Sequence, residues 1–294
     1  MRITERMLAD HALTNSNANI EALTKIQDEV STMKRLRLPS DNPTDVRFAM
    51  KASEAKAEIE QYQRNVGTAT ASLSAADVAL GSAGTLLLRA RELAVQGANS
   101  TLNAADRGRI ALEVEALSRQ MVSEAGAKAG DQYLFSGFKT DTAPYTEAAP
   151  GSAAVSAYLG DSGSIVARIG PGTQIGINVT ADTIFGPALA ALAQLHADLT
   201  GGSPVAGSTL TLLDTGMGAL LDGRATLGAR QNRLEAVSGS LDQLQLAATK
   251  QLSDLVDVDM TQAITELGQR QAAYQAALEV NARILQPSLL DHLR

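Results

Sequence analysis

Cysteine and tryptophan are both absent from this chain of 294 residues. Without thiols there is no disulfide framework, no thiolate metal site and no cysteine nucleophile, so stability has to come from packing or from assembly. Aromatic residues make up only 3% of the chain while 45% of it is hydrophobic, so cores must be built from Ala, Leu, Ile and Val. Such side chains favour close helix pairing over a thick globular interior. The formal charge is −7, which argues against nucleic acid as a main partner, because counterion release needs basic patches. Lys34, Arg35 and Arg37 do cluster, but they fall where a helix is expected to end and read as a solvated helix terminus. No uncharged run reaches the ~18 residues of a membrane span, and the opening Met1-Arg2-Ile3-Thr4-Glu5-Arg6 leads into no apolar segment of the signal-peptide kind. Neither a membrane partner nor a cleaved leader is expected.

Reactive groups are equally sparse. His11, His196 and His292 are scattered and form no ligand-spaced or triad-like set. Asp254, Asp257 and Asp259 lie close together but lack the glycine and closing Glu of a calcium loop, and a helix junction explains carboxylates there. Gly170-Pro171-Gly172-Thr173-Gln174-Ile175-Gly176 is glycine-rich but has no Gly-Lys-Ser/Thr ending, so a hairpin turn accounts for it better than a phosphate loop. The residues point to no enzyme, no metal and no cofactor.

What the chain does have is helical periodicity. Leu234, Leu241, Ala248 and Leu255 recur every seven residues, with Val237, Leu244, Gln251 and Val258 between them at the offset of a helix seam. At Asp257-Val258-Asp259 the phase slips. A second stripe then begins, with Ile264, Gln271, Leu278 and Leu285 on one row and Leu267, Tyr274 and Asn281 on the other. Residues 8–38 read as a helix with an equally narrow stripe, Leu13, Ile20 and Gln27 beside Ser16, Leu23 and Val30. Two such polar-rich helices bury little area against each other at ~25 cal/mol per Å², so they are expected to be mobile in the isolated subunit and to gain burial from neighbouring copies.

Between these ends, Asn42 reads as an N-cap, Pro43 as a first helical residue and Asp45 as a first-turn carboxylate. The helix they begin is expected to reach Gln96, roughly 80 Å, its glycines Gly67, Gly81 and Gly84 marking close helix approach. Asn103 caps a helix expected to run to about Ala129. Composition then shifts toward Gly, Pro, Ser and Thr over 139–182, with alternation at 155–159, 165–169 and 174–180 predicting a hairpin-rich β insertion. Gly186-Pro187 starts a short helix, Ser208 or Thr209 a long one, and Asp259 caps the last, which Pro287 closes. The fold class is mainly α: a long antiparallel helical bundle made from the N- and C-terminal parts, with a small inserted β-rich outer domain. The expected division is 1–42 with 259–294 as a terminal coiled-coil assembly domain, 43–138 with 205–258 as the long-helix bundle, and 139–204 as the outer domain.

Several stretches together resemble the flagellin superfamily, and within it the hook-associated junction type. They are Met1-Arg2-Ile3-Thr4, Leu38-Pro39-Ser40-Asp41-Asn42-Pro43, Tyr62 to Asn65 with Leu73 and Asp77, Glu92-Leu93-Ala94-Val95-Gln96 with Ala98-Asn99, and Tyr133-Leu134-Phe135-Ser136-Gly137. At the other end they are Gly228 to Leu234, the Asp257-Val258-Asp259 junction, Gln271 to Leu278, and Ser288-Leu289-Leu290-Asp291-His292-Leu293. The resemblance covers both terminal parts in collinear order and leaves the β insertion unmatched. It implies a non-enzymatic flagellar subunit outside the cell, exported unfolded without a cleaved signal and held beforehand by an export chaperone at the C-terminal helix. The implied assembly partners are further copies, the hook-side junction protein and flagellin. Leu13, Ile20, Leu23, Val30, Ile264, Leu267, Tyr274, Leu278 and Leu285 would form the assembly interface, with Asn42, Pro43, Asp257 and Asp259 at caps and junctions and Leu267, Tyr274, Leu278 and Leu285 meeting the chaperone. A flagellin filament subunit is the alternative within the superfamily, and a non-flagellar coiled-coil scaffold the alternative outside it.

Overall fold

A computed structural model describes residues 5–147, 151–202 and 204–285, with side chains at 5, 6, 8, 9 and 283–285 excepted. Met1 to Thr4, the side chain of Leu285, Pro287 and the closing Ser288 to Leu293 therefore lie outside the described residues. The helices are α1 (Glu5–Thr32), α2 (Pro43–Gly97), α3 (Ala104–Ala125), α4 (Ala181–Ile184), α5 (Gly186–Thr200), α6 (Gly207–Val256) and α7 (Met260–Leu285). Strands β1 (Lys128–Ala129) and β2 (Gln132–Tyr133) form one antiparallel pair, and β3 (Val166–Gly170) and β4 (Thr173–Gly176) a second. The architecture is mainly helical, with one short strand pair just after α3 and a second in the insertion. The chain divides into two compact units, Met1–Ala57 with Gln245–Arg294 and Glu58–Leu244.

In the Glu58–Leu244 unit, α2 and α6 run antiparallel. Gln63 bonds Asp242 at 2.8 Å, Asp77 pairs with Arg224 at 2.9 Å and Arg91 with Asp214 at 2.8 Å, so one helix ascends as the other descends. The face α2 buries is Tyr62, Val66, Ala69, Leu73, Ala76, Leu80, Ala83, Leu87, Ala90 and Ala94, spaced alternately four and three residues apart. That is a heptad seam with large residues on one row and mostly Ala on the other. Opposite it, α6 buries Leu213, Leu220, Leu227, Leu234 and Leu241, one leucine per heptad. Alanine facing leucine lets the helix axes approach, and each buried leucine contributes about 1.5–3 kcal/mol. Ile110, Val114, Leu117 and Met121 of α3 join the same core.

This pattern also explains a stretch of α2 that is apolar and long enough, by length and composition alone, to cross a bilayer, with a hydropathy of 1.4. The charge interrupting it, Asp77, is paired with Arg224, and its Leu and Ala rows belong to the bundle core. A water-facing side is therefore built into the same segment.

Glycines act elsewhere than expected. Around Gly67 and Gly84 there is open space, and Gly81 has only the Arg224 guanidinium within reach of a Cβ. Close approach occurs instead at Gly97, the last residue of α2, where a Cβ would stand 2.7 Å from Leu199, and on α6. A Cβ on Gly216 would stand 2.8 Å from the Ala188 backbone of α5, and one on Gly223 2.9 Å from Ile184 of α4. These two glycines, one heptad apart, seat the inserted helices on α6.

Local chemistry sets the boundaries. Asn42 Oδ1 accepts the amides of Thr44 and Asp45 at 3.1 and 3.2 Å, and Asn103 Oδ1 that of Asp106 at 2.8 Å. Asp259 Oδ1 accepts those of Thr261 and Gln262 at 2.9 and 3.2 Å, so the three expected caps form. Other expectations need correcting. The first helix ends at Thr32 rather than 38, because Met33 turns into the left-handed region at φ 57°. The Asn103-capped helix stops at Ala125, and Gly130, at φ 62°, turns the β1–β2 hairpin beyond it. Ser208 and Thr209 lie inside α6; Thr209 donates instead to Asp198 at 2.5 Å.

The alternation at 165–169 and 174–176 does produce the β3–β4 hairpin, turning at Gly172 with φ 68°. The alternation at 155–159 produces no strand: between 151 and 159 the chain is held by single hydrogen bonds to several partners, Ser156 N to Thr146 O at 3.4 Å among them, and not by a ladder. Glu115 of α3 accepts the Gly151 amide at 2.9 Å, Ser118 donates to Ala153 O at 2.9 Å, and Leu159 N reaches Pro144 O at 3.0 Å.

Candidate assembly surface

The unit holding both chain ends is built on α1 and α7, which pack together antiparallel; Asn281 Nδ2 reaches Ala12 O at 3.4 Å. On α1 the covered positions are Ala12, Ser16, Asn19, Leu23, Ile26 and Val30, flanked by half-buried Ala22 and Glu29, and on α7 Ala263, Leu267, Tyr274, Ala277 and Asn281, with Met260 and Glu266 half-buried beside them. The first six on α1 step by four and three residues; on α7 the same steps hold except between Leu267 and Tyr274, which are seven apart with Arg270 exposed between them. Of the two rows expected on each helix, one faces inward: Ser16, Leu23 and Val30 on α1, and Leu267, Tyr274 and Asn281 on α7. The other faces out. Leu13 is 60% exposed, Ile20 41%, Ile264 56% and Leu278 45%. Their places in the seam are taken by Ala12, Asn19 and Ile26 on α1 and by Ala263 and Ala277 on α7. Sequence reasoning passed over those alanines because hydrophobicity alone ranks Leu and Ile above them, whereas close antiparallel packing selects the smaller side chain.

The paired helices are tied at the base by a feature that reading each chain break separately did not reveal. The segment after α1 and the one after α6 hydrogen-bond to each other, with Lys34 bridged to Asp257 in antiparallel fashion. Arg35 N donates to Val256 O at 2.7 Å and Val258 N to Met33 O at 3.2 Å. The Arg35 guanidinium donates to Leu255 O at 3.1 Å and to Asp45 at 3.4 Å. The basic cluster is thus more than a solvated helix end: Arg35 holds the last carbonyls of α6, and Arg37 pairs with Asp28 at 2.6 Å. Asp257 is not a cap; it sits in the bridge and accepts from Ser253 Oγ at 2.6 Å. Asp41 accepts the amides of Leu38 and Arg37 at 2.9 and 3.0 Å, and these bonds hold its carboxyl below the usual carboxylate range.

Among the described residues no group of three or more His, Asp or Glu side chains is placed to hold a metal. His11 is exposed and His196 buried in α5, while His292 is outside the described residues. What the surface offers is two helices, locked at one end, each presenting an unpaired apolar row. Residues 3–140 match the bacterial flagellin N-terminal helical region, and residues 210–293 the bacterial flagellin C-terminal helical region.

The chain belongs to the flagellin family. It is similar to flagellar hook-associated protein 3 of Escherichia coli, with 29% identity over 94% of this chain and 95% of that protein. Its identity to the protein of the same name in Salmonella typhimurium is 27%, over 94% and 95%. Among solved structures it resembles one described as a flagellar hook-associated protein from Vibrio parahaemolyticus. The TM-score is 0.66 at 26% identity, covering 74% of this chain and all of that one. Both family regions coincide with the helical parts described above, and the stretch between them, 141–209, holds the β3–β4 hairpin and α4–α5. As a flagellin-family protein the chain is a structural component of the bacterial flagellum and not an enzyme.

Proposed function

We propose that this protein joins the flagellar hook to the filament by helical self-assembly through its terminal helices. The observation carrying this reading is the pair of outward rows, Leu13 and Ile20 on α1 and Ile264 and Leu278 on α7. These four large apolar side chains are left uncovered beside a seam made partly of Ala, Ser and Asn. Copies stacked side by side would bury them, and Leu285 would extend the same row. Identities of 29% and 27% to hook-associated protein 3, against 25% to a flagellin matched over the same share of the chain, favour the junction over the filament itself. In this reading the neighbours are further copies, the hook-side junction protein and flagellin. Residues 1–42 with 259–294 form the assembly domain, 43–138 with 205–258 the bundle, and 139–204 the outward domain.

The same reading places the protein outside the cell, exported without a cleaved signal peptide and accompanied by a chaperone on the C-terminal helix. Leu267 and Tyr274 face α1 while Leu278 faces out, so a chaperone gripping Leu267, Tyr274, Leu278 and Leu285 displaces α1 from α7. Deleting the gene tests the function. Cells that build hooks, shed flagellin into the medium and carry no filaments support it; filaments retained at normal length refute it.

A further inference from the structure

The inserted region holds a cavity of about 470 Å³ that takes no part in the assembly surface. Tyr145 and Tyr158 form one side, with ring centroids 5.8 Å apart and planes inclined at 54°. Val155, Pro187 and Ala190 supply aliphatic walls, and Asp182 places a carboxylate at the lining. No Lys, Arg or His lines it. The Tyr145 hydroxyl is buried and has no hydrogen-bond partner, so it is closed to a ligand entering from solvent. Burial first, and then the negative charge of Asp182 beside Tyr145 and of Asp161 beside Tyr158, push both phenols up, Tyr158 to about 12, so both are neutral at physiological pH. One uncompensated carboxylate, two aromatic faces and aliphatic walls call for a cation carrying a short apolar body. The ring quadrupoles and the carboxylate attract the charge, and the walls take the hydrocarbon.

We propose that this cavity binds an alkylammonium group, a primary or methylated amine on a short aliphatic stem. The proposal is independent of the junction role. Its test titrates the full chain with n-butylammonium and with n-pentanol, a neutral compound of nearly the same shape, followed by calorimetry. The expected result is at least fivefold tighter binding of the ammonium. Asp182→Asn should abolish that preference at an unchanged melting temperature, since Asp182 is exposed. Ala190→Trp, at an exposed position on the lining, should fill the cavity and remove binding of both compounds. Equal affinity for alcohol and ammonium, no binding of the ammonium, or a preference that survives Asp182→Asn overturns the proposal. Comparing assembly then identifies the natural source. Slower assembly of Asp182→Asn assigns the ammonium to a lysine of a neighbouring copy, and unchanged assembly to a free amine; both results require that the site be real.

Discussion

At the scale of single residues, the turn after β2 depends on one glycine and one carboxylate. Gly137 sits at φ 70°, and a Cβ there would overlap Asp161. Gly137→Ala therefore combines left-handed strain with a steric clash, and a loss of about 1–3 kcal/mol in a urea melt is expected. Asp161 accepts the amides of Phe138 at 2.7 Å and Gly163 at 2.8 Å. Those bonds, Phe138's first, draw its carboxyl below the ordinary value of 3.8. A depressed folded-state pKa contributes stability that is fully present above the unfolded value and is lost as pH falls through the folded one. The stability gap between the native protein and Asp161→Asn should then be constant from pH 5 to 7 and shrink below about pH 4, read from melts across that range. A gap that widens on acidification would contradict this account. Phe135, two residues before Gly137, is fully buried edge-on against Phe185 at 5.1 Å. The Tyr133 to Gly137 stretch, which stood out in the sequence, thus serves to dock the insertion's turn on its own short helix α4.

At the scale of elements, the heptad logic makes opposite demands on neighbouring glycines of α6. Gly216→Ala drives a methyl into the α5 backbone and should cost about 1–3 kcal/mol. Gly218→Ala meets open space and should stabilise by about 0.5–1 kcal/mol through helix propensity; equilibrium unfolding of the two variants separates them. These pairs show how much was legible beforehand. Asn42, Asn103 and Asp259 were readable as caps because capping is a local interaction, settled within three residues. The leucine row of α6 was readable from Leu234 onward, yet its earlier members Leu213, Leu220 and Leu227 carry the same seam; the glycines among them obscured it. The alanine row of α2 escaped notice because alanine scores weakly as a hydrophobe and is selected by the closeness of a partner more than 100 residues away. The bridge between Lys34 and Asp257 was illegible for the same reason: two loops, each polar and unremarked alone, complete each other only in three dimensions. For the expected assembly rows, periodicity set the spacing but not the direction, since inward and outward heptad rows have the same spacing.

At the scale of the whole molecule, the outward rows are the most consequential surface. Ile264→Asp and Leu278→Asp replace exposed side chains, so the melting of the isolated subunit should not change. A charge there has no counterpart once copies close over it, and polymerisation, followed by sedimentation, should be lost. Polymers of either variant at native yield would refute the interface. The seam between α1 and α7 contains Ala12, Ser16, Asn19 and Ala263, so hydrogen exchange in dilute subunits should show α1 and α7 opening well before α2 and α6. The antiparallel register of α2 and α6 also has a bearing on time. Its three tie points join residues 179, 147 and 123 positions apart, and the Asn281–Ala12 contact spans 269. Contacts of such long range are slow to form, because the loop must close before anything is gained. While a ribosome is still making the chain, the leucines and alanines of α2 have no cover beyond the local hairpin with α3. The seam between α2 and α6 can close only when the last third of the chain has been made.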